Sequence, residues 1–231
     1  LGAGDKIKIG NDVLDIISPT LGENFSEKNL NNSSLVFRTT INGFRALFLG
    51  DADSSFLKKI TTDWQADILK VSHHGSKNGT SSELLKLINP QIALIGVGKD
   101  NKYNHPADVV INLLNDLGVN IVLGTGPHVL QMMQTVARES DNFKTYVWYS
   151  LGNLLSSQLQ TRELIGGIAK MDIEKVDGKV AISNLTFTPT YMHYEWTAAQ
   201  SAAGDLLSRK NAMIYLLKNA EYPLSKSLLN T

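Results

Sequence analysis

The feature that most constrains this chain is a run of alternating strand and helix signals from Asp67 to Leu123. Asp67 to Val71 reads as an apolar strand, and Ser82 to Ile88 as a helix stopped by Asn89-Pro90. Gln91 to Val97 is nearly all apolar, as a strand covered on both faces should be. Pro106 to Leu117 predicts a helix with proline in its first turn and Gly118 after its last. Val119 to Leu123 follows as a second buried strand. Such a β-α-β-α-β order implies a layered α/β sheet with ligands at the strand C-termini.

The flanks read differently. Lys6 to Ile17 predicts a hairpin around Gly10-Asn11-Asp12, and Leu21 to Ser33 a polar loop. Leu35 to Thr40 and Phe44 to Leu49 flank Asn42-Gly43, a strong hairpin signal, and Ser54 to Ile60 a short helix. Beyond Gly124, Val129 to Ala137 is expected to be helical and Lys144 to Tyr149 a strand. Ile165 to Glu174 and Lys179 to Thr188 form a hairpin about Asp177-Gly178, and Asp205 to Ala220 is expected to be helical.

Composition excludes some chemistry. With no cysteine among 231 residues, disulfides, thiolate metal sites and cysteine nucleophiles are out. A formal net charge of zero gives no support for unassisted nucleic-acid binding. No apolar run reaches the roughly 18 residues of a membrane span. The opening Leu1-Gly2-Ala3-Gly4 is not an initiator sequence, so the chain is expected to be a fragment or an excised domain.

The candidate chemistry lies at strand ends. Phe48-Leu49-Gly50-Asp51 puts a carboxylate where a strand stops, beside a glycine that permits close backbone approach. It is either a hard oxygen ligand for a divalent ion or a turn residue capping the next helix. Leu69-Lys70-Val71-Ser72-His73-His74-Gly75-Ser76 sets two histidines directly after an apolar strand. Neighbouring side chains there diverge, so one imidazole can bind metal while the other handles a proton or a substrate oxygen. His105 precedes a helix and is either a substrate contact or a solvated cap residue; His128, after Gly126-Pro127, is either a metal ligand or a helix-start residue. His193, among Tyr191, Tyr194 and Trp196, reads as packed among aromatics. Asn153 reads as a turn residue.

Gly50-Asp51, Ala66 to Lys77 with its His-His-Gly-Ser core, Ile92 to Val97, and Lys99 to Pro106 with Asn-x-Tyr-x-His-Pro occur in that order. This set resembles the metallo-β-lactamase-fold domain of ComEC/Rec2 competence proteins over residues 1–122. The resemblance implies an αββα sandwich, a zinc or manganese site, and hydrolysis of a phosphodiester such as DNA at the extracytoplasmic side of a bacterial envelope. It assigns Asp51, His73 and His74 as metal ligands, with His73, His74 and His105 in catalytic roles. The upstream His-x-His-x-Asp-His motif of such enzymes does not occur in this sequence. A weakly held ion is therefore expected, with little or no activity from this chain alone.

From about Ile121 onward, Gly124-Thr125-Gly126-Pro127-His128-Val129, Tyr149-Ser150-Leu151-Gly152-Asn153 and Gly166-Gly167-Ile168-Ala169 resemble the C-terminal part of CapA-type capsule and poly-γ-glutamate synthesis proteins. Those have a calcineurin-like metallophosphoesterase fold, and His128 would be their late metal-site histidine. The expected organisation is a ComEC-like part, 1–122, joined to a CapA-like part, 123–231, in one composite sandwich. Asp51, His73, His74, His105 and His128 would then gather at one edge. A cell-envelope polymer factor and a non-catalytic binding or scaffold module are the alternatives to a hydrolase.

Overall fold

A computed structural model describes residues 1–98, 103–177 and 179–221. It begins with a hairpin, β1 (Lys6–Ile9) and β2 (Asp12–Ser18), turning at Gly10-Asn11 as expected. The expected loop from Leu21 ends in a 3-10 helix, Glu27–Ser33. β3 (Val36–Ile41) and β4 (Phe44–Phe48) then form the Asn42-Gly43 hairpin, both turn residues having positive φ. A single turn, α1 (Ser54–Leu57), leads to β5 (Ile68–Lys70), α2 (Ser82–Ile88) and β6 (Ile92–Gly96). Ser81 caps α2 through a hydrogen bond accepted from Leu84 N, and Asn89 ends it in the left-handed region. α3 (Asp108–Asp116) and β7 (Ile121–Thr125) complete the alternating run. Pro106 lies before α3 rather than in its first turn, because Ala107 occupies the N-cap position.

Two expectations are corrected. Val129 to Ala137 is not helical: Met133–Ala137 forms β8, an edge strand antiparallel to β9 (Lys144–Trp148). The β-branched Thr135 and Val136 fit a ladder beside the aromatic β9, and strand pairing overrides weak local preference. After α4 (Thr161–Leu164), the long strands β10 (Ile165–Val176) and β11 (Lys179–Glu195) pair around a turn whose Gly178 lies outside the described residues. Asp205 to Ala220 is not a helix either. A single turn, α5 (Ala198–Ala202), precedes β12 (Lys210–Leu216), which pairs with the end of β11, Tyr215 opposite Tyr191. Tyr215 and Leu217 pack against the buried Leu164, Tyr191, Tyr194 and Trp196, which rewards the extended form more than helix propensity opposes it.

The strands form a nine-stranded sheet, ordered β1-β2-β3-β4-β5-β6-β7-β9-β8, and a three-stranded sheet, β10-β11-β12. β4, β5, β6, β7 and β9 run parallel, so strands before and after Val122 belong to one ladder. Pleating sends alternate residues to opposite faces. Leu47, Leu69, Ala93, Ile95, Val122 and Val147 meet Leu84, Leu85 and Ile88 of α2 and Val110, Ile111 and Leu114 of α3. The opposite face, with Ile68, Ile92, Ile121 and Trp148, packs on Val180, Met171 and Ile182 of the smaller sheet. The two sheets are also tied by Lys175 Nζ, 2.9 Å from the buried carboxylate of Asp67.

Asp67 also accepts the Arg45 backbone N–H at 2.8 Å. Asp67→Ala leaves that donor and the Lys175 ammonium without a partner, so it should lower stability by about 2–4 kcal/mol, read from the urea midpoint. An unchanged midpoint would contradict the role assigned to this tie.

Candidate functional site

Because five consecutive strands of the ladder run parallel, their C-terminal ends share one sheet edge. Asp51 follows β4, His73 and His74 follow β5, His105 precedes α3 after β6, and His128 follows β7. Topology thus brings to one edge every candidate that the sequence scatters over some eighty positions, as parallel sheets do with ligand sites.

The loops after β4 and β5 are hydrogen-bonded to each other. His73 N donates to Gly50 O at 3.0 Å, and Ser72 Oγ donates to Ala52 O at 2.6 Å. Asp51 N in turn donates to Ser34 Oγ at 3.0 Å. Gly50 is required here: its φ is +58°, and a Cβ would stand 2.5 Å from that of Ser34. On the other side, Ala107 N donates to Gly75 O at 3.0 Å, so the segment carrying His105 is joined to the same loop.

The histidine loop is strained. His73 (φ 47°, ψ 50°) and His74 (φ 56°, ψ 25°) are both left-handed, and Gly75 has φ +79°. Each non-glycine residue so placed costs roughly 1–2 kcal/mol. Such strain persists where surrounding contacts over-determine it, which is common at functional sites.

The outcome is a close pair, His74 Nε2 lying 3.8 Å from Asp51 Oδ1, with both side chains about half exposed. His74 Nδ1 makes a short contact with the Gly96 carbonyl. A carbonyl can only accept, so Nδ1 carries the proton and donates. In the neutral imidazole, Nε2 is then a bare lone pair facing a carboxylate oxygen, an arrangement that calls for a proton or a cation between them. Donors about 2.1 Å from a shared ion stand no more than about 4.2 Å apart, and this pair is inside that limit.

His73 stands between the other two rings, its centroid 6.2 Å from His74 and 5.9 Å from His105. Its Nδ1 is buried with no hydrogen-bond partner among the described residues. Tyr103 stacks on His105 at 5.9 Å. Burial, then the neighbouring His73 and His74, hold the His105 imidazole below its ordinary range, favouring its neutral form. A cleft of about 1100 Å³ opens beside His73 and His105, walled also by Lys77, Asn78, Gln131 and Tyr149.

His128 is on the same edge, but its described contacts lie elsewhere. Its Nδ1 meets Asn153 Oδ1 at 2.9 Å, while Asn153 Nδ2 donates to His128 O, Gln158 Oε1 and Glu163 O. Asn153 is therefore the knot of an irregular segment. His193 is buried among Tyr191 and Tyr215, as expected of a packed histidine. Among the described residues no three His, Asp or Glu side chains converge as a metal cage. Asp51 and His74 offer two donors, short of the three protein ligands usual for a catalytic ion.

Sequence reasoning missed two contributors: Ser34, which holds the Asp51 backbone, and Gly96, which fixes the His74 tautomer.

The sequence profile of the bacterial capsule synthesis protein family PGA_cap matches residues 28–158, more than half of the chain. The chain belongs to that family. Its match runs across β3 to β9 and includes Asp51, His73, His74, His105 and His128. Curated competence proteins are also similar. ComE operon protein 3 of Bacillus subtilis is 32% identical over 122 residues, covering 52% of this chain and 15% of that protein. Competence protein ComA of Neisseria gonorrhoeae is 29% identical over 96 residues, 40% of this chain and 14% of that one. Recombination protein 2 of Haemophilus influenzae is 36% identical over 70 residues, 30% of this chain and 9% of that one. The chain thus spans a small part of each of these relatives. Both resemblances drawn from the motifs are supported.

Gly75 offers a direct check on the loop geometry. A Cβ there would lie 2.8 Å from Pro106 Cβ. Gly75→Ala should cost roughly 2–4 kcal/mol, combining left-handed strain with overpacking. Gly10→Ala, at φ +61° with nothing within 4 Å, should cost only the strain, about 1–2 kcal/mol. Equal thermal midpoints for the two variants would contradict this packing.

Proposed function

We propose that this chain carries a metal-dependent hydrolase site of the ComEC-like type, acting on phosphodiesters such as DNA. The observation that carries it is the 3.8 Å approach of His74 Nε2 to Asp51 Oδ1 at adjoining parallel strand ends, with the His74 tautomer set by Gly96. Asp51 and His74 would hold a divalent ion, zinc or manganese, whose chemistry is polarisation of a phosphoryl oxygen. His73 offers an unpartnered nitrogen for a substrate oxygen or a proton. His105, kept neutral, contacts substrate from the cleft. The similarity to competence proteins supports this reading, as does the sheet architecture. Helices on one face of the large sheet and a second sheet on the other supply three of the four layers an αββα-type sandwich calls for. In it a ComEC-like part, 1–122, would supply β1 to β6, and a CapA-like part, 123–231, would supply β8, β9 and the smaller sheet. We also propose work at the extracytoplasmic side of the envelope, a reading the same kinship supports. Among the described residues no helix is long and apolar enough to cross a membrane.

A second reading is a role in capsule or poly-γ-glutamate synthesis, favoured by the PGA_cap match over 28–158. In that reading His128, held by Asn153, belongs to the working surface. Loss of envelope polymer on deletion of the gene, with no phosphodiesterase activity in the purified chain, would favour it.

The first reading is tested by nitrophenol release from bis-p-nitrophenyl phosphate with added manganese, alongside calorimetric titration of the metal. Even outer-shell partners of metal ligands are worth about 10–100-fold, so Asp51→Ala and His74→Ala should each lower manganese affinity and turnover at least about tenfold. Identical heats and rates for wild type and Asp51→Ala would reject the reading.

A further inference from the structure

Lys70 is the last residue of β5, paired in register with Phe48 and Leu94. Its strand neighbours are apolar, and by the two-residue period it shares a face with Ile68, which packs toward the smaller sheet. The stem crosses the next strand where a side chain is missing: Lys70 Cε is 3.8 Å from where a Gly96 Cβ would be. Thr125 Oγ1, on β7, is 3.3 Å from the same point. Gly96 is also the residue whose carbonyl contacts His74. Lys70, Thr125, His74 and Asp51 are therefore contiguous along the strand ends.

The ammonium group is underused. Its Nζ donates to Val71 O at 3.0 Å, the carbonyl of its own neighbour. Among the described residues no carboxylate lies within ion-pair distance of it. A lysine head carries three N–H donors. Partial burial of the cation lowers its pKa and the charge of Asp51 opposes that shift, so the ammonium is electrostatically coupled to the carboxylate of the candidate site. Simple snorkelling, with the stem buried and the head in water, would leave Lys70 a strongly screened charge with little hold on what binds at Asp51 and His74.

We propose that Lys70 is the oxyanion contact of this site, its ammonium meeting the phosphate group of the substrate beside the Asp51–His74 pair. The inference rests on the phosphodiester reading above, yet one of its arms is independent of metal. A cation there attracts an anionic ligand and repels a divalent cation. Removing it should therefore move the two affinities in opposite directions, which a merely structural role would not do.

Calorimetric titrations of inorganic phosphate and of manganese, run separately on the full chain, test this. Lys70→Met should weaken phosphate binding and tighten manganese binding, each by roughly three- to tenfold, as one partly screened unit charge allows. Lys70→Arg should restore both, and Lys59→Met, an exposed lysine away from the strand ends, should change neither. Circular dichroism of each variant confirms that it is folded. Affinities that stay put, or that fall together in a folded Lys70→Met, would overturn the proposal, as would absence of phosphate binding to wild type. If wild type binds phosphate but no manganese, the metal reading fails while the phosphate arm still decides the role of Lys70.

Discussion

The hydrogen bond from His73 N to Gly50 O, seconded by Ser72 Oγ on Ala52 O, joins two loops that strand pairing alone does not oblige to touch. Parallel pairing of β4 with β5 fixes where those loops begin, but not where they go. Once the bond forms, Asp51 and His74 are held on facing sides of one narrow gap. The left-handed turn at His73 and His74 is tolerated because Ser72, Gly50, Gly75 and Ala107 hold its backbone on both sides. Strain and hydrogen bonding thus act as one device. Local backbone energy is spent to aim two imidazoles, and tertiary contacts hold them there.

The chemistry follows from the sign of the groups so aimed. A carbonyl against His74 Nδ1 leaves Nε2 as an acceptor, and Asp51 presents another. Two facing acceptors repel unless something positive lies between them. The half-exposed setting lets a water O–H or a cation fill that gap, while Lys70 keeps the surroundings from being purely anionic. The cleft beside His73 and His105 extends the same edge toward Gln131 and Tyr149, so both halves of the sequence contribute walls. Tyr149 is itself held above the ordinary tyrosine range by burial and by Asp108, which keeps its hydroxyl a neutral donor to Gln134.

Much of this is legible in the sequence. The Asn42-Gly43 turn, the run from Ile68 to Val122 and the strand-end position of Asp51, His73 and His74 follow from periodicity and punctuation. The region beyond Gly124 was less legible. Met133–Ala137 and Lys210–Leu216 carry residues at home in a helix, and only pairing with β9 and β11 makes them strands. The tautomer of His74 was not legible at all. It depends on Gly96, twenty-two positions away, whose carbonyl acts through the backbone and leaves no mark in side-chain type. Ser34 was hidden for another reason: its hydroxyl accepts from the Asp51 backbone seventeen positions away, a contact that only the fold creates.

The most direct test of this account is nitrogen NMR of the His74 ring, titrated with zinc in wild type and in Asp51→Asn. In the metal-free wild type, Nδ1 should carry the proton and Nε2 should report as a bare acceptor. Zinc should then shift Nε2 of His74 while leaving His128 and His193 in place, and the shift should shrink sharply in Asp51→Asn. A His74 ring protonated at Nε2 in its neutral form, or a zinc response indifferent to Asp51, would contradict it.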